Sequence, residues 1–308
     1  MSLLVIDKAS GPTSFAVVRQ VRALMGRGRE KIGHGGTLDP FASGVLPICM
    51  GEGTKVLAFL LEADKAYEAV VRFGVETDTL DLTGQVVAEH GLGDLSATAV
   101  EAALARFRGP IDQVPPMYSA LKRDGRPLYT YARAGETLER QPRRVTIHAF
   151  EMLRFQTPDR AHLRIHCSKG TYIRSLAADL GQHLGVGAHL VELRRTASGP
   201  FTLDRAITLD ELAVRIADGR PLPLLSVLEA LAHLPTVNVD EAQALVLERG
   251  QRMAWQVFSG GRELSGPVCA VRHGDAGPAL VAVVAKKDDG DMKILRGFGN
   301  RSTSPACK

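Results

Sequence analysis

The sequence lacks most of the features that identify a secreted, metal-binding or nucleotide-dependent protein. Its cysteines form no CxxC pair and are far apart, at Cys49, Cys167, Cys269 and Cys307. They therefore predict buried thiols in a reducing compartment, and neither a disulfide framework nor a zinc site. There is no HExxH, Walker A or GxSxG motif. An enzymatic interpretation must therefore rest on acids, bases and aromatic side chains, and we expect no cofactor and no metal.

Long hydrophobic runs are also missing. No apolar stretch reaches the length needed to span a bilayer. The first residues, MSLLVID, lack the basic region and cleavage site of a signal peptide. We therefore expect a cytoplasmic protein that makes no contact with a membrane.

Aromatic residues are scarce at 5%, and the net charge of the 308 residues is only +4. The distribution of charge is more informative than the total. Residues 19–31 contain Arg19, Arg22, Arg27, Arg29 and Lys31 against one acid. Residues 119–145 also have a basic excess, with tyrosines in or beside them. Clustered positive charge with interleaved aromatics is typical of an RNA surface. A solvated basic face is the alternative.

Strand-like and helix-like patterns follow one another along the chain. Residues 65–74 alternate apolar and polar side chains, which predicts a half-buried strand. Residues 171–184 place apolar side chains at helical spacing, and Ser14 is a plausible N-cap for an earlier helix. Several strands separated by helices predict an α+β protein with a mixed or antiparallel central sheet.

The chain changes character near residue 234, after which short valine-rich strands follow one helix. We therefore predict a main domain of residues 1–233 and a small β-rich domain of residues 234–308. Residues 113–144 combine turn signals and charge with weak periodicity. They are predicted to form an excursion from the core.

Asp39 is the first candidate for chemistry. It precedes a proline, which favours extended backbone, and lies in the glycine-rich segment GHGGTLDP of residues 33–40. Glycines let the backbone come close to a large ligand. A carboxylate in such a loop is accessible as a nucleophile or base. The alternative is a turn aspartate that satisfies nearby backbone N–H groups.

Arg174 is the second candidate. If Thr171 caps the helix that follows, Arg174 occupies the third helical position, where a cation opposes the helix dipole. An anionic partner would compensate, either an RNA phosphate or a carboxylate such as Asp39. A solvent-screened surface arginine is the alternative.

Tyr67 and His34 are candidates for contact with a base. Tyr67 lies on the apolar face of its predicted strand, where most tyrosines are core residues. The functional alternative is a ring stacked on an unstacked nucleotide. His34 lies among glycines, and a single loop histidine specifies no function by itself.

Six blocks in a fixed order together resemble the TruB family of pseudouridine synthases. They are DK with GPTS (7–14), GHGGTLDP with SGVLP (33–47), KAY with TDTLD (65–81), QVPPMYSALK (113–122), CSKGTYIR (167–174) and GAHL with LRR (187–195). The resemblance extends over about residues 2–203. Ala9 departs from it, since the family usually has proline there. It implies a pseudouridine synthase fold and a C-terminal PUA-type RNA-binding domain, which the segment from residue 234 resembles only weakly.

The resemblance also implies an activity, the isomerisation of the uridine at position 55 in the T-loop of tRNA. It assigns Asp39 as the essential aspartate, Arg174 as its partner and Tyr67 as the tyrosine on the target base. By the same resemblance Tyr172 and Leu193 belong to the base pocket. His34 would contact RNA where the base has left the stack, and the excursion would close on the T-stem-loop. We expect a monomer with tRNA as its partner and no obligatory protein partner.

The expected chemistry begins with flipping the uridine out of the loop. Asp39 then attacks the nucleotide or removes a ribose proton, and the sequence does not decide between these routes. Either route needs an ionised carboxylate, and Arg174 is expected to hold its pKa down. Tyr67 could remove the C5 proton or position another base.

Three other functions are compatible with these residues. The first is an RNA-binding protein that folds tRNA, with modification incidental. The second is a related synthase that acts on rRNA or works with a guide RNA. The third is a metal-dependent hydrolase that uses His34 and Asp39, which chelator-sensitive activity would support.

Overall fold

The computed structural model of this protein describes residues 2–275 and 277–298. Its strands are β1 (Ser2–Lys8), β2 (Ile32–His34), β3 (Ser43–Met50), β4 (Lys65–Phe73), β5 (Val75–Thr77), β6 (Val86–Glu89), β7 (Gly109–Gln113), β8 (Lys122–Arg123), β9 (Arg126–Pro127), β10 (Arg143–Gln156), β11 (Arg160–Cys167), β12 (Ala188–Ser198), β13 (Phe201–Thr202), β14 (Thr236–Asn238), β15 (Val268–Gly274), β16 (Gly277–Lys286) and β17 (Met292–Gly297).

The helices in the same ranges are α1 (Ser14–Leu24), α2 (Leu57–Glu62), α3 (Ala97–Ala105), α4 (Leu128–Arg133), α5 (Ile173–His183), α6 (Leu209–Ala217), α7 (Val227–Ala230), α8 (Glu241–Glu248) and α9 (Trp255–Ser259). Two 3₁₀ turns, Gly51–Val56 and Leu203–Arg205, complete the regular structure of the described residues. Cys307 and the rest of the predicted C-terminal segment 299–308 lie outside them.

Most strands of the described chain belong to one nine-stranded sheet in the order β1-β3-β12-β4-β11-β10-β7, with β2 added on β3 and β13 on β12. Strand β12 runs parallel to β3 and antiparallel to β4. The other neighbouring strands are antiparallel. The prediction of an α+β protein with a mixed central sheet is therefore confirmed.

One face of the sheet packs against α3 and α5. The alternation predicted for β4 is present, since Tyr67, Val71 and Phe73 are buried in one cluster with Leu176 and Leu180 of α5. Apolar burial of this kind stabilises by about 25 cal/mol per Å². The helix that carries Arg174 therefore packs on the face of the sheet that buries Tyr67.

A second, four-stranded sheet has the order β14-β15-β16-β17. It contributes Cys269, Val271 and Val283 to a buried cluster that also contains Leu3 and Val45 of the large sheet. The β-rich character predicted for the C-terminal segment is present, beginning with β14. The domain boundary at 233/234 and the likeness to a PUA domain stay predictions.

The excursion leaves the large sheet at the end of β7 and returns to it at the start of β10, the neighbouring strand. Between these points lie the two-stranded β8–β9 hairpin and the short helix α4. Most side chains of residues 122–140 are exposed. The segment thus stands out from the sheet while both of its ends are fixed to it.

The predicted thiols Cys49, Cys167 and Cys269 are free and buried, and burial raises the pKa of each to about 12. Within the described residues, no helix is both long enough and apolar enough to cross a membrane.

Candidate active site

Asp39 lies in the loop between β2 and β3, and its two neighbours are held in place. The Ser14 hydroxyl accepts a hydrogen bond from the Leu38 N–H at 2.8 Å and donates one to the Leu38 carbonyl at 3.1 Å. The Lys8 ammonium donates to the Pro40 carbonyl at 3.1 Å. Asp39 is therefore positioned by contacts that its neighbours make with other elements.

The predicted N-cap at Ser14 is wrong, and the reason is functional. Thr13 caps α1 by accepting a hydrogen bond from the Ala16 N–H at 3.0 Å. This frees the buried Ser14 hydroxyl for the loop that carries Asp39. Both residues can act as caps, so local sequence alone could not choose between them.

A second support for the same loop comes from β12. Arg195 is 1% exposed and donates to the carbonyls of Val45 at 2.8 Å, Gly36 at 3.0 Å and Thr37 at 3.3 Å. Gly44 pairs with Arg195, has φ 106° and leaves no space for a side chain against the Arg195 backbone. The close parallel pairing of β3 and β12 therefore requires glycine at position 44.

Arg174 binds Asp39 through both sides of its carboxylate. Its Nε donates to Asp39 Oδ2 at 2.9 Å and its Nη2 to Oδ1 at 3.2 Å. The Arg174 side chain is 4% exposed, whereas that of Asp39 is 34% exposed. The predicted proximity of the two residues is thus present, in an ion pair with one accessible partner.

Helix α5 presents Arg174 at this point. It begins at Ile173 with Tyr172 as its N-cap, and no side chain caps it. The predicted cap at Thr171 is therefore wrong, because the Thr171 hydroxyl donates instead to the Ser168 carbonyl at 2.9 Å. Arg174 is the second helical residue instead of the third. The unfavourable helix dipole is compensated by carboxylates.

One of these carboxylates, Asp81, was missed by the sequence analysis. It is buried, and its Oδ2 lies 3.5 Å from Arg174 Nη1. Its Oδ1 accepts hydrogen bonds from the Thr79 hydroxyl at 2.8 Å and the Thr83 N–H at 2.9 Å. Leu80 between them has φ 61°, a left-handed conformation. The spacing Thr-Xaa-Asp-Xaa-Thr was a local signal for such a turn.

The pKa of Asp39 is raised above its ordinary value. Burial is the largest cause and repulsion by Asp81 adds to it, while Arg174 and Lys8 oppose the rise. Arg174 therefore lowers the pKa of Asp39, as expected, but the pKa is raised overall because burial has the larger effect. Two hydrogen bonds from one guanidinium still favour the ionised carboxylate.

Lys8 is a further buried cation that the sequence analysis did not single out. Its ammonium donates to the carbonyls of Ala9 at 2.9 Å, Pro12 at 2.9 Å and Pro40 at 3.1 Å. Burial lowers its pKa to about 8, although Asp39 acts in the opposite direction. Lys8 thus ties the turn after β1 to the Asp39 loop.

Tyr67 and Leu193 lie on the neighbouring strands β4 and β12. Both are buried, in the same cluster as Leu38 and Ile173, the chain neighbours of Asp39 and Arg174. Burial raises the pKa of Tyr67, and the positive charge of Arg195 opposes this rise. Tyr67 is therefore a core residue that also borders the candidate site.

Tyr172 joins the site to the base of the excursion. The Gln113 side chain accepts from the Tyr172 N–H at 2.8 Å and donates to the Tyr172 carbonyl at 3.0 Å. Close by, Arg174 Nη2 donates to the Tyr118 carbonyl at 2.8 Å. Because Gln113 and Tyr118 belong to the excursion, its position is coupled to the ion pair.

His34 ends β2, on the strand that leads into the Asp39 loop. It is half-buried, and its Nδ1 has no hydrogen-bond partner among the described residues. Burial and the charge of Arg195 lower its pKa, so the ring is neutral near pH 7. Within the described residues, no hydrogen bond or ion pair joins His34 directly to Asp39 or Arg174, so the structure does not bring it into the ion-pair cluster. In the same residues, no group of three or more His, Cys, Asp or Glu side chains is arranged to hold a metal ion.

Two family models match this chain. One, described as TruB family pseudouridylate synthase (N terminal domain), matches residues 22–173. The other, described as tRNA pseudouridylate synthase B C-terminal domain, matches residues 174–229. The matched residues include Asp39, Tyr67 and Arg174, and end before β14.

Known proteins are similar over most of the length. A tRNA pseudouridine synthase B of Azoarcus sp. (strain BH72) is 48% identical over 85% of this chain and 89% of that protein. A tRNA pseudouridine synthase B of Cupriavidus pinatubonensis is 47% identical over 93% of this chain and 90% of that protein. Among solved structures, a chain in a Cbf5–Nop10–Gar1 complex has a TM-score of 0.72 at 30% identity, covering 92% of this chain and 78% of that one.

Proposed function

The chain belongs to the TruB family of pseudouridylate synthases, and from this premise we propose that it isomerises the uridine at position 55 in the T-loop of tRNA, with Asp39 as its catalytic carboxylate. The predicted family, fold and enzyme class are confirmed: this protein is a pseudouridine synthase. A tRNA substrate is supported by the names of the relatives. The T-loop position and the roles of individual residues are the content of the proposal.

One observation carries the assignment of Asp39. Its carboxylate is bound on both oxygens by the buried Arg174, yet its side chain is 34% exposed. A buried arginine that holds both oxygens of an accessible carboxylate orients that carboxylate toward a ligand.

The reaction breaks the bond between uracil N1 and C1′, turns the base and joins C1′ to C5. It is redox-neutral. Asp39 attacks the nucleotide or removes a ribose proton, and both routes need the ionised form that Arg174 favours. In this proposal Tyr67 receives the C5 proton or positions another base, while Leu193 shields the detached base from water.

The uridine must leave the folded loop before it can react, at a cost of a few kcal/mol. Basic side chains along the RNA backbone would offset part of this cost. Arg19 is exposed on α1, Lys31 is exposed just before β2, and Lys122 and Arg126 are exposed on the excursion. His34, with its neutral ring, would occupy the space that the base vacates, and Tyr172 would line the base pocket.

We also propose that the enzyme acts as a monomer in the cytoplasm without an obligatory protein partner. The similar Cbf5 chain was solved together with Nop10 and Gar1. The sheet β14–β17 supplies a second surface, which we propose binds tRNA as a PUA-like domain. Sedimentation of the protein alone and with tRNA tests the stoichiometry.

The decisive experiment is release of tritium from C5-labelled uracil in an unmodified tRNA transcript. Wild type is expected to release tritium, mapped to the T-loop uridine, without added metal or cofactor. Asp39→Asn should release none, while its affinity for tRNA stays within about tenfold, or about 1.4 kcal/mol. Asp94→Asn is the matched control, because Asp94 is an exposed aspartate outside the site, and it should behave as wild type.

Other outcomes point to the alternatives. No release from tRNA by wild type would redirect the search to rRNA or guided substrates. Release by Asp39→Asn would show that another residue is the catalytic carboxylate. Chelator-sensitive release would support a metal-dependent enzyme instead.

A further inference from the structure

Arg195 is a fully buried cation, and no acid of the described residues pairs with it. Two other arginines near the site do pair with a carboxylate: Arg174 with Asp39, and Arg194 with Asp7 at 2.6 Å. No ion pair joins Arg195 to a carboxylate of the described chain; its hydrogen bonds go to backbone carbonyls. Burying an unpaired charge is costly, so an arginine at this position needs a further reason.

The contacts of Arg195 connect two parts of the site. Its guanidinium binds the carbonyls of Gly36 and Thr37, just before Asp39, and that of Val45 after it. On the other side, Arg195 stands directly opposite Tyr67 in the β12–β4 pairing. Directly opposed residues have Cβ atoms about 4.5–5.5 Å apart on one face of a sheet. The residue whose guanidinium binds the Asp39 loop therefore lies beside Tyr67 on the same face of the sheet.

The positive charge of Arg195 acts on the groups around it. It lowers the pKa of Lys8, Lys65 and His34, and it opposes the rise that burial causes in the pKa of Tyr67. No carboxylate of the described residues pairs directly with the guanidinium, although the charge of Asp39 acts on Tyr67 and Lys8 in the opposite direction. Negative charge that develops beside it is stabilised more than it would be in water.

We propose that Arg195 is a positioning residue of the uridine site, which holds the Asp39 loop against the strand of Tyr67 and sets the position from which Tyr67 takes the C5 proton. This inference rests on the proposed function. It adds a residue that acts through Asp39 and Tyr67 without touching the nucleotide.

The step served by this arrangement is the last one of the reaction. After C1′ has joined C5, the C5–H bond breaks and its proton passes to the Tyr67 oxygen while the Tyr67 hydroxyl proton passes to water. The electron pair becomes the C5=C6 double bond of pseudouridine, and N1, now free of the ribose, takes a proton from water.

The test compares Arg195→Lys and Arg195→Met with Arg194→Lys and Arg194→Met. The lysine variant keeps the charge but cannot span three carbonyls, and the methionine variant also removes the charge. Arg194 is the matched control, since it neighbours Arg195 on β12 but points to Asp7. Each protein is assayed with tRNA transcripts that carry protium or deuterium at uracil C5, and its tRNA affinity and thermal unfolding are measured.

We expect Arg195→Lys to bind tRNA within about threefold of wild type and to lower kcat by about 10- to 100-fold. Its deuterium isotope effect on kcat should exceed that of wild type, because proton transfer from C5 becomes slower than the other steps. Arg195→Met should lose more activity. Both Arg194 variants should keep kcat within about twofold.

Two results would overturn the inference. One is a kcat of Arg195→Lys within about twofold of wild type. The other is a lower kcat with an unchanged isotope effect, which would mean that Arg195 only supports the fold. If Arg195→Met does not fold, the lysine variant decides. Failure of the proposed function is recognised separately, because wild type itself would then release no C5 hydrogen from tRNA, and the same comparison would be made on the RNA it does modify.

Discussion

The loop that carries Asp39 and the excursion of residues 113–144 both reach the candidate site, but they are held in different ways. The loop is tied along its whole length, by Ser14, Lys8 and Arg195. The excursion is tied mainly at its base, where Gln113 binds the Tyr172 peptide. Its outer part, around the β8–β9 hairpin, is exposed and basic.

This difference separates two tasks. A catalytic carboxylate must stay within a fraction of an ångström of its working position, which dense hydrogen bonding to buried groups provides. A segment that grips RNA must adapt to a large ligand, which a weakly packed, charged segment can do. Arg174 is where the two meet, since it binds both Asp39 and the Tyr118 carbonyl.

The largest effect is expected from Arg174→Ala, because this change damages both regions. It leaves Asp39 and Asp81 without their shared cation and frees the Tyr118 carbonyl. Loss of one partner of a buried ion pair costs about 3–5 kcal/mol. We expect kcat to fall at least about 100-fold and the protein to unfold at lower urea concentration. Turnover and urea unfolding are the measurements.

The control for Arg174→Ala is Arg72→Ala. Arg72 also pairs with an aspartate, Asp159 at 2.9 Å, but is 42% exposed. Exposed pairs contribute at most about 1 kcal/mol, so this variant should stay close to wild type in both measurements. Turnover of Arg174→Ala near that of the control would remove Arg174 from the proposed mechanism.

A smaller effect is expected from the outer part of the excursion. Replacing both Lys122 and Arg126 by alanine removes two exposed charges from the β8–β9 hairpin. KM for tRNA should rise up to about tenfold with kcat unchanged. The slope of log affinity against log salt concentration should become shallower by the amount that corresponds to about two lost phosphate contacts. Steady-state kinetics at several salt concentrations measure both. Arg220→Ala, at an exposed arginine near α6, is the control.

A fall in kcat instead of a rise in KM in this double variant would contradict the separation of tasks. It would mean that the outer excursion, and not only its base, sets the geometry of Asp39.

The parts of the site that could be predicted from the sequence are those that depend on local pattern. The alternation of β4 placed Tyr67 on a buried face, and the unusual cation at the start of α5 indicated an anionic partner for Arg174. The six blocks joined these residues in one family. None of this required knowledge of contacts distant along the chain.

The residues that were missed depend on such contacts. Arg195 and Lys8 act through carbonyls of the Asp39 loop, and a carbonyl carries no sequence signal. Asp81 had a local turn signal but became an ion-pair partner only through the packing of α5. The predicted caps of α1 and α5 each differ by one residue from the observed N-caps, Thr13 and Tyr172. Thr13 and Ser14 are both good capping residues, and Tyr172 has no capping side chain that would mark the start of α5.

The smallest expected effect is on the acid limb of the pH profile, and it tests how strongly the loop holds Asp39. Burial raises the pKa of Asp39 above its ordinary value of 3.8. Since the ionised form is the active one, kcat/KM should fall with decreasing pH earlier than for an exposed aspartate. The tRNA affinity of Asp39→Asn, measured over the same pH range, should stay constant if the limb belongs to Asp39. Arg174→Lys should move the limb to still higher pH, because a single ammonium holds the carboxylate less well than the guanidinium fork. An acid limb with an apparent pKa at or below 3.8 would instead mean that Arg174 and Lys8 together outweigh the effect of burial on the pKa of Asp39.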